Sequence, residues 1–454
     1  MIFKNISKTK LSLALISLVI TFFVWQQGLR DSLNRPSVSF DISQKEQEIA
    51  ELAVQSIPTN LKKFFIINDP VDEINNALSK VEFNELTERN KLIKIILSSE
   101  SNLSRIDKNF SLDFENENYK LLFNEIEKKS NNDSYTIDFE KFILFKDDRF
   151  LYHILSKKFD FDDSSLITKS FSSKMFLKIL VIRSIPLLTI LLGSILALKI
   201  LWKSISLKKF GWKEIKPLDL ELIDMVLLIA GGFVVLGEVI SPLFSITLVE
   251  LFSKNISSEL SQSLKIFFGY IFMAIPPLSI VFYQIKSLSG EFSFKKDYLQ
   301  FNFLPLKKSI IYGIKGWLTI IPFVLLVSLI MNSLIANQNG SNPLLEIVLN
   351  NNNNLSFILL FVTTTFLAPL FEEIIFRGIL LPTLSKDFGI ILGIIVSAFI
   401  FALAHLSLGE MPPLFVLGIG LGITRIASGS LFSSVVMHSL WNGLTFVNLF
   451  LLRT

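Results

Sequence analysis

The sequence predicts an all-α fold: a polytopic membrane helix bundle of about nine spans, joined to a mostly helical N-terminal extramembrane domain. Three observations predict it. Half of the 454 residues are hydrophobic and only 19% are charged, against roughly a quarter charged in an average soluble domain. Mean hydropathy is +0.52. Apolar runs recur at lengths close to the roughly 20 residues that cross a hydrocarbon core. Forty-four basic against 40 acidic residues leave a net charge of +4, too small a surplus to argue for a nucleic-acid partner. The chain has no cysteine, which excludes disulfides, thiolate nucleophiles and thiolate metal sites.

Taken in order, residues 11–28 form the first apolar run, preceded by Lys4, Lys8 and Lys10. It ends in FFVWQQ, without the small-residue pattern of a cleavage site, so 1–28 reads as an uncleaved signal anchor. Residues 29–173 are polar, yet Val81, Leu86, Leu92, Ile95 and Ile96, and again Tyr119, Leu122, Phe123 and Ile126, recur at helical spacing. This segment reads as an extramembrane helical domain, with His153 as a helix-surface or core-edge histidine. Residues 174–308 read as accessory transmembrane helices, with spans at 175–202, 222–249 and 264–285. Residues 309–454 hold five more, at 309–335, 355–381, 388–408, 411–428 and 431–452, and Asn351–Asn354 read as a polar loop. Two loops are rich in lysine: 203–221 (Lys203, Lys208, Lys209, Lys213, Lys216) and 286–308 (Lys286, Lys295, Lys296, Lys307, Lys308). The positive-inside rule then predicts an integral multi-pass protein with a cytoplasmic N-terminus and 29–173 on the opposite face.

The chemistry is expected in the last hundred residues. Residues 355–452 contain seven Asp, Glu, Lys or Arg residues. Lys386, Asp387, Glu410 and Arg425 fall at predicted span ends or loops. Glu372, Glu373 and Arg377 fall inside an apolar helix, where one charge at the bilayer centre costs roughly 2.5–3.5 kcal/mol on insertion scales. Glu373 and Arg377 have the i,i+4 spacing of a helical ion pair. Glu372 points about 100° away, is less neutralised by Arg377, and is the candidate general base. Pro369, one turn before Glu373, predicts a kink that opens space for water. The next span carries Gly389, Gly393, Ser397, Phe401 and His405 at four-residue spacing, small residues that permit close helix approach. The last carries Ser434, His438 and Asn442; Gly418 and Gly422 between them read as packing. Of three histidines in the chain, two therefore lie near the acidic pair. A carboxylate-activated water, assisted by imidazole, with amide and imidazole donors for an oxyanion, is the equipment of peptide hydrolysis. Two His and a Glu could alternatively hold a divalent metal such as zinc, although no HExxH helix is present.

These motifs resemble those of a known family. EEIIFR (372–377), FALAH (401–405) and HSLWN (438–442) are similar, in order, to the EExxxR, FxxxH and HxxxN motifs of the CAAX prenyl protease 2 type, the CPBP or Abi family of intramembrane proteases, which includes bacteriocin-processing and immunity proteins. The resemblance covers roughly 310–452. It implies an intramembrane metallo- or glutamate-type endopeptidase acting on a membrane-embedded or membrane-anchored protein or peptide. It also implies that Glu372 with His405 activates water, that His438 and Asn442 stabilise the oxyanion or help to bind metal or water, and that Glu373 and Arg377 support the first motif. The competing readings are a non-catalytic adaptor or immunity-type protein, and a proton-coupled transporter. Straight helices over the predicted spans would leave Glu372 and His405 more than roughly 10 Å apart along the membrane normal.

Overall fold

The computed structural model describes residues 7–35, 38–98, 114–131, 139–207, 212–213, 215, 219–252, 256–289, 300, 305–334, 343–351 and 353–453. Lys4, Lys208, Lys209, Lys216, Lys295, Lys296 and Asn352, which entered the sequence reading, lie outside them. The described residues are helical or irregular, with no strand among them. The chain divides into two compact units, Met1–Val38 with Leu187–Phe450, and Ser39–Pro186 with Leu451–Thr454.

The second unit is built from α2 (Val38–Ala53), α3 (Thr59–Phe65), α4 (Pro70–Ser79), α5 (Glu88–Leu97), α6 (Glu117–Asn131), α7 (Arg149–Phe159) and the first part of α8 (Lys169–Leu207). Caps fix its short helices: the Asp69 carboxylate accepts from the N–H groups of Val71 and Asp72, with Pro70 opening α4, and the Thr87 hydroxyl accepts from Asn90. Of the residues expected at helical spacing, Leu92, Ile95 and Ile96 are buried from α5, and Leu122 and Ile126 from α6. Val81 and Leu86 flank α5 rather than belonging to it. Between these helices Arg89 bridges Glu48 and Asp148, with charge-assisted hydrogen bonds to both.

His153 is not a surface histidine. It is buried in α7, because carboxylates converge on both ring nitrogens. Nδ1 lies 2.5 Å from Asp163 and Nε2 3.3 Å from Glu51, which also pairs with Lys157. Burial alone would lower the pKa of His153, but the hydrogen bonds to Glu51 and Asp163 prevail and raise it above its ordinary value. Burial pushes Glu51 the other way from its partners, and hydrogen bonds from His153 and Lys157 hold it below the usual carboxylate value.

The first unit holds α1 (Lys8–Leu33), the rest of α8, α9 (Leu222–Phe252), α10 (Ser258–Ser289), α11 (Leu306–Leu334), α12 (Pro343–Asn350), α13 (Asn354–Phe388), α14 (Ile390–Leu403), α15 (Met411–Ser428) and α16 (Leu431–Leu451). Among the described residues, seven helices are long and apolar enough to cross a membrane: α1, α8, α9, α10, α11, α13 and α15. The chain is thus an integral, multi-pass membrane protein. Two of the nine expected spans fall short of that standard. α14 has only 14 residues, and α16, with 21, carries Ser433, Ser434, His438 and Asn442 along its length. The expected span 388–408 is corrected at its end: the helix stops at Leu403, and Ala404 and His405 form a turn before Leu406, whose φ is +48°. Within the asparagine run, Asn353 is a cap: its side chain accepts from the N–H groups of Leu355 and Ser356 to start α13.

The apolar core of this unit lies where α9, α13, α14, α15 and α16 meet, around Leu228, Ile375, Phe376, Phe401, Leu421 and Met437. α1 packs on α9, α9 on α10, and α14 and α11 on α15.

The His153 cluster makes stability depend on pH with a definite sign. A histidine whose pKa is raised by folding contributes fully below its unfolded value, about 6.5, and loses that contribution as pH rises through the folded value. Glu51, held low, contributes above its unfolded value and loses it only in acid. In unfolding titrations of the full chain in detergent, the stability advantage of wild type over His153→Gln should be greatest near pH 5.5–6 and shrink as pH rises toward 9.

Candidate active site

α13 carries the first group of functional side chains, and its winding is not uniform. Thr363–Leu367 and Ile374–Leu380 are π turns on either side of the α-helical stretch Ala368–Glu373. The Ala368 N–H reaches the carbonyl of Thr363, and that of Leu381 reaches Phe376, five residues back in each case. Pro369, which has no N–H to donate, sits in the first turn of the intervening stretch. The helix therefore accommodates the proline through wide turns. Single π turns inside α-helices frequently mark functional sites.

The acidic pair divides into a buried member and a cavity-facing one. Glu373 is fully buried, and its Oε1 accepts from Arg377 at 2.8 Å and from His438 Nδ1 at 3.0 Å. Arg377, 1% exposed, also donates to the Gly418 carbonyl at 3.1 Å and lies over the Phe401 ring at 4.2 Å. Gly418 is required by close approach: a Cβ there would stand 3.0 Å from the Cα of Ala398 on α14. Ser397, expected as a small packing residue, also donates to the Phe376 carbonyl.

These bonds determine the state of His438. A carboxylate that receives an arginine is an acceptor, so His438 Nδ1 is the donor to Glu373, and in the neutral ring Nε2 carries the lone pair. Nε2 lies 3.9 Å from Oε2 of Glu372. That Oε2 is buried without a hydrogen-bond partner in the protein. The separation is too long for a direct hydrogen bond.

Glu372, His405, His438 and Asn442 all line one cavity of about 300 Å³. Four of the six expected residues thus meet there, and Glu373 and Arg377 stand behind them. His405 lies in the turn past the end of the short α14. His405 Nδ1 donates to the Phe401 carbonyl at 2.8 Å, which again leaves Nε2 as the basic nitrogen. Asn442 Nδ2 donates one hydrogen to the Thr364 carbonyl, inside the first π turn, at 2.9 Å.

The His405 segment is held by α1. Arg35 donates to the Leu406 carbonyl at 3.2 Å, and Ser32 accepts from the Leu408 N–H at 3.3 Å. A Cβ on Gly28 would fall 2.7 Å from Leu406 Cδ1, so α1 approaches this turn closely. The expected signal anchor therefore also braces the site.

Other residues escaped the sequence reading. Glu410, assigned only to a loop, lines the same cavity, as do Tyr270 of α10 and Trp441 of α16. Glu238 lies midway along the apolar α9, where its charge marks it in the sequence; Trp25 of α1 donates to it at 3.3 Å. Arg425 does lie in the last turn of α15, but it is buried and donates to Gln300, so it is not a solvated span end.

A divalent metal does not fit this arrangement. Among the described residues no group of three or more His, Asp or Glu side chains is placed to hold one.

Removing one partner of a buried ion pair typically costs about 3–5 kcal/mol, because the other charge is stranded. Arg377→Met and Glu373→Leu should each lower the unfolding midpoint sharply in detergent. The double variant should recover part of the loss, giving a double-mutant cycle that is clearly non-additive.

Comparison with known proteins gives two matches to family models. Residues 354–444 match the model described as type II CAAX prenyl endopeptidase Rce1-like, and residues 39–177 match one described as a domain of unknown function (DUF8675). No curated protein and no solved structure matches the chain.

Proposed function

Starting from the match of residues 354–444 to the family model described as type II CAAX prenyl endopeptidase Rce1-like, we propose that this protein is an intramembrane endopeptidase. It hydrolyses a peptide bond in a membrane-embedded or membrane-anchored protein or peptide, using a water activated by Glu372. The observation that carries this reading is the partnerless Oε2 of Glu372, buried 3.9 Å from His438 Nε2 in a cavity shared with His405 and Asn442. An unpaired buried oxygen is costly unless something else satisfies it, and a water held between carboxylate and imidazole would do so.

The residues divide the work as follows. Glu372 takes a proton from the water as it attacks the scissile carbonyl. His438 Nε2 accepts the water's other hydrogen and so orients it. Glu373, itself fixed by Arg377, holds His438 in the tautomer that leaves Nε2 free for this task. The second amide hydrogen of Asn442 serves the oxyanion, its first being anchored on Thr364. The proton held by Glu372 then passes to the leaving amine, directly or through His405. No step requires a metal, so this is the glutamate-type form of the chemistry.

General acid–base groups typically contribute 10²–10⁴ in rate. Glu372→Gln keeps the side chain's shape and removes its basicity. Comparative proteomics of membranes from cells carrying wild type or Glu372→Gln should show one or more proteins accumulating uncut in the variant. The purified variant should cleave such a protein at least about 10²-fold more slowly, with its unfolding midpoint nearly unchanged. Wild-type cleavage should persist in chelator. Full cleavage by Glu372→Gln would overturn the role given to Glu372, and a phenotype that survives Glu372→Gln but not deletion of residues 29–173, with no protein accumulating uncut, would favour the adaptor reading.

A further inference from the structure

The second unit carries an apolar surface that its own core does not use. On α3 and just beyond it, Leu61, Phe64 and Ile67 are 37%, 60% and 84% exposed, beside the exposed Lys62 and Lys63. The buried side of the same segment is anchored. Phe65 is buried and sets its ring edge-on to Phe176 of α8, with centroids 5.8 Å apart. Its carbonyl accepts from Arg183 of α8, which also donates to Glu46 at 2.8 Å. The exposed side chains are thus presented on a fixed piece of backbone.

Arg183 stands at a change in the character of α8. Before it, Ser172, Met175, Ile179 and Ile182 are buried in the core of this unit. After it, Leu187, Leu188, Leu191, Leu192, Ile195 and Leu198 are each more than half exposed, on a helix long and apolar enough to cross a membrane. The guanidinium that holds α3 is four residues, about 6 Å along a helix, from the first of these leucines. Two exposed lysines beside large apolar side chains are the pattern of a segment that lies in the headgroup layer, with its apolar residues reaching toward the acyl chains.

We propose that Leu61, Phe64 and Ile67 insert into the bilayer interface at the level where α8 enters the membrane, with Lys62 and Lys63 against anionic headgroups. The occupant of this surface is lipid. The segment then seats the second unit on the membrane by a contact separate from the helix that tethers it.

Because the chain has no cysteine, single labels test this directly. Ile67→Cys would carry an environment-sensitive fluorophore in the full chain, reconstituted in nanodiscs of phosphatidylcholine and phosphatidylglycerol. Asn76→Cys on α4 and Leu191→Cys on α8 serve as aqueous and membrane references. The label at 67 should be quenched several-fold more than that at 76 by lipids bearing a nitroxide near the headgroup, and several-fold less by iodide. Lys62→Glu with Lys63→Glu should reduce the nitroxide quenching. Iodide accessibility equal to position 76 would overturn the proposal. So would shielding from both quenchers, which indicates a protein covering the patch. Unchanged quenching in the lysine variant would overturn the role given to the lysines.

Discussion

A guanidinium and a carboxylate removed from solvent within one turn of α13 impose conditions on everything around them. Desolvating such charges costs several kcal/mol each, and further hydrogen bonds and ring contacts offset part of that cost. That is why Arg377 reaches past Glu373 to the Gly418 carbonyl, and why Phe401 presents its ring face to the cation. It also accounts for the close approach of α14 and α15, which a side chain at Gly418 would prevent. The one acceptor position left on Glu373 Oε1 goes to His438. A stability requirement thereby becomes a chemical specification: the ring is turned, its proton is assigned, and its second nitrogen faces the cavity group Glu372.

Much of this was legible in the sequence, because the arguments used were local. Charges are so rare in 355–452 that Glu372, Glu373 and Arg377 stand out by cost alone, and helix periodicity separates the two acids before any coordinates exist. Helix positions followed from apolar run length, which suits a chain whose spans are set by a slab of fixed thickness. What was missed depended on long-range or sub-helical geometry. The π turns around Pro369 leave no mark in a periodicity measured over many residues. The early stop of α14, which leaves His405 in a turn lining the cavity, is invisible in an apolar stretch that runs on past it. Glu410 read as a loop acid, because nothing local says which loop borders a cavity. His153 read as bland because Glu51 and Asp163 approach it from distant parts of the sequence.

The site also draws on more of the chain than the matched segment. Residues 354–444 hold all six motif residues, yet Tyr270 comes from α10, and the backbone around Leu406 and Leu408 is held by Ser32 and Arg35 at the end of α1. α9 lies between these contributions, packed on both helices and tied to α1 through Glu238 and Trp25. The accessory helices are therefore part of how the cavity is bounded, and differences in them would alter what the cavity admits without touching a motif.

The wide turn at Thr363–Leu367 has one more consequence. A π turn accommodates one residue more than the α turn it replaces, so it acts as a phase adjuster upstream of the acidic pair. Winding the same residues as a regular α-helix would rotate the rest of α13 by about 100°. Glu373 would swing away from His438, and Arg377 away from Gly418. In this stretch, local winding is as strict a requirement as residue identity, even though the turn itself supplies no group with chemistry of its own.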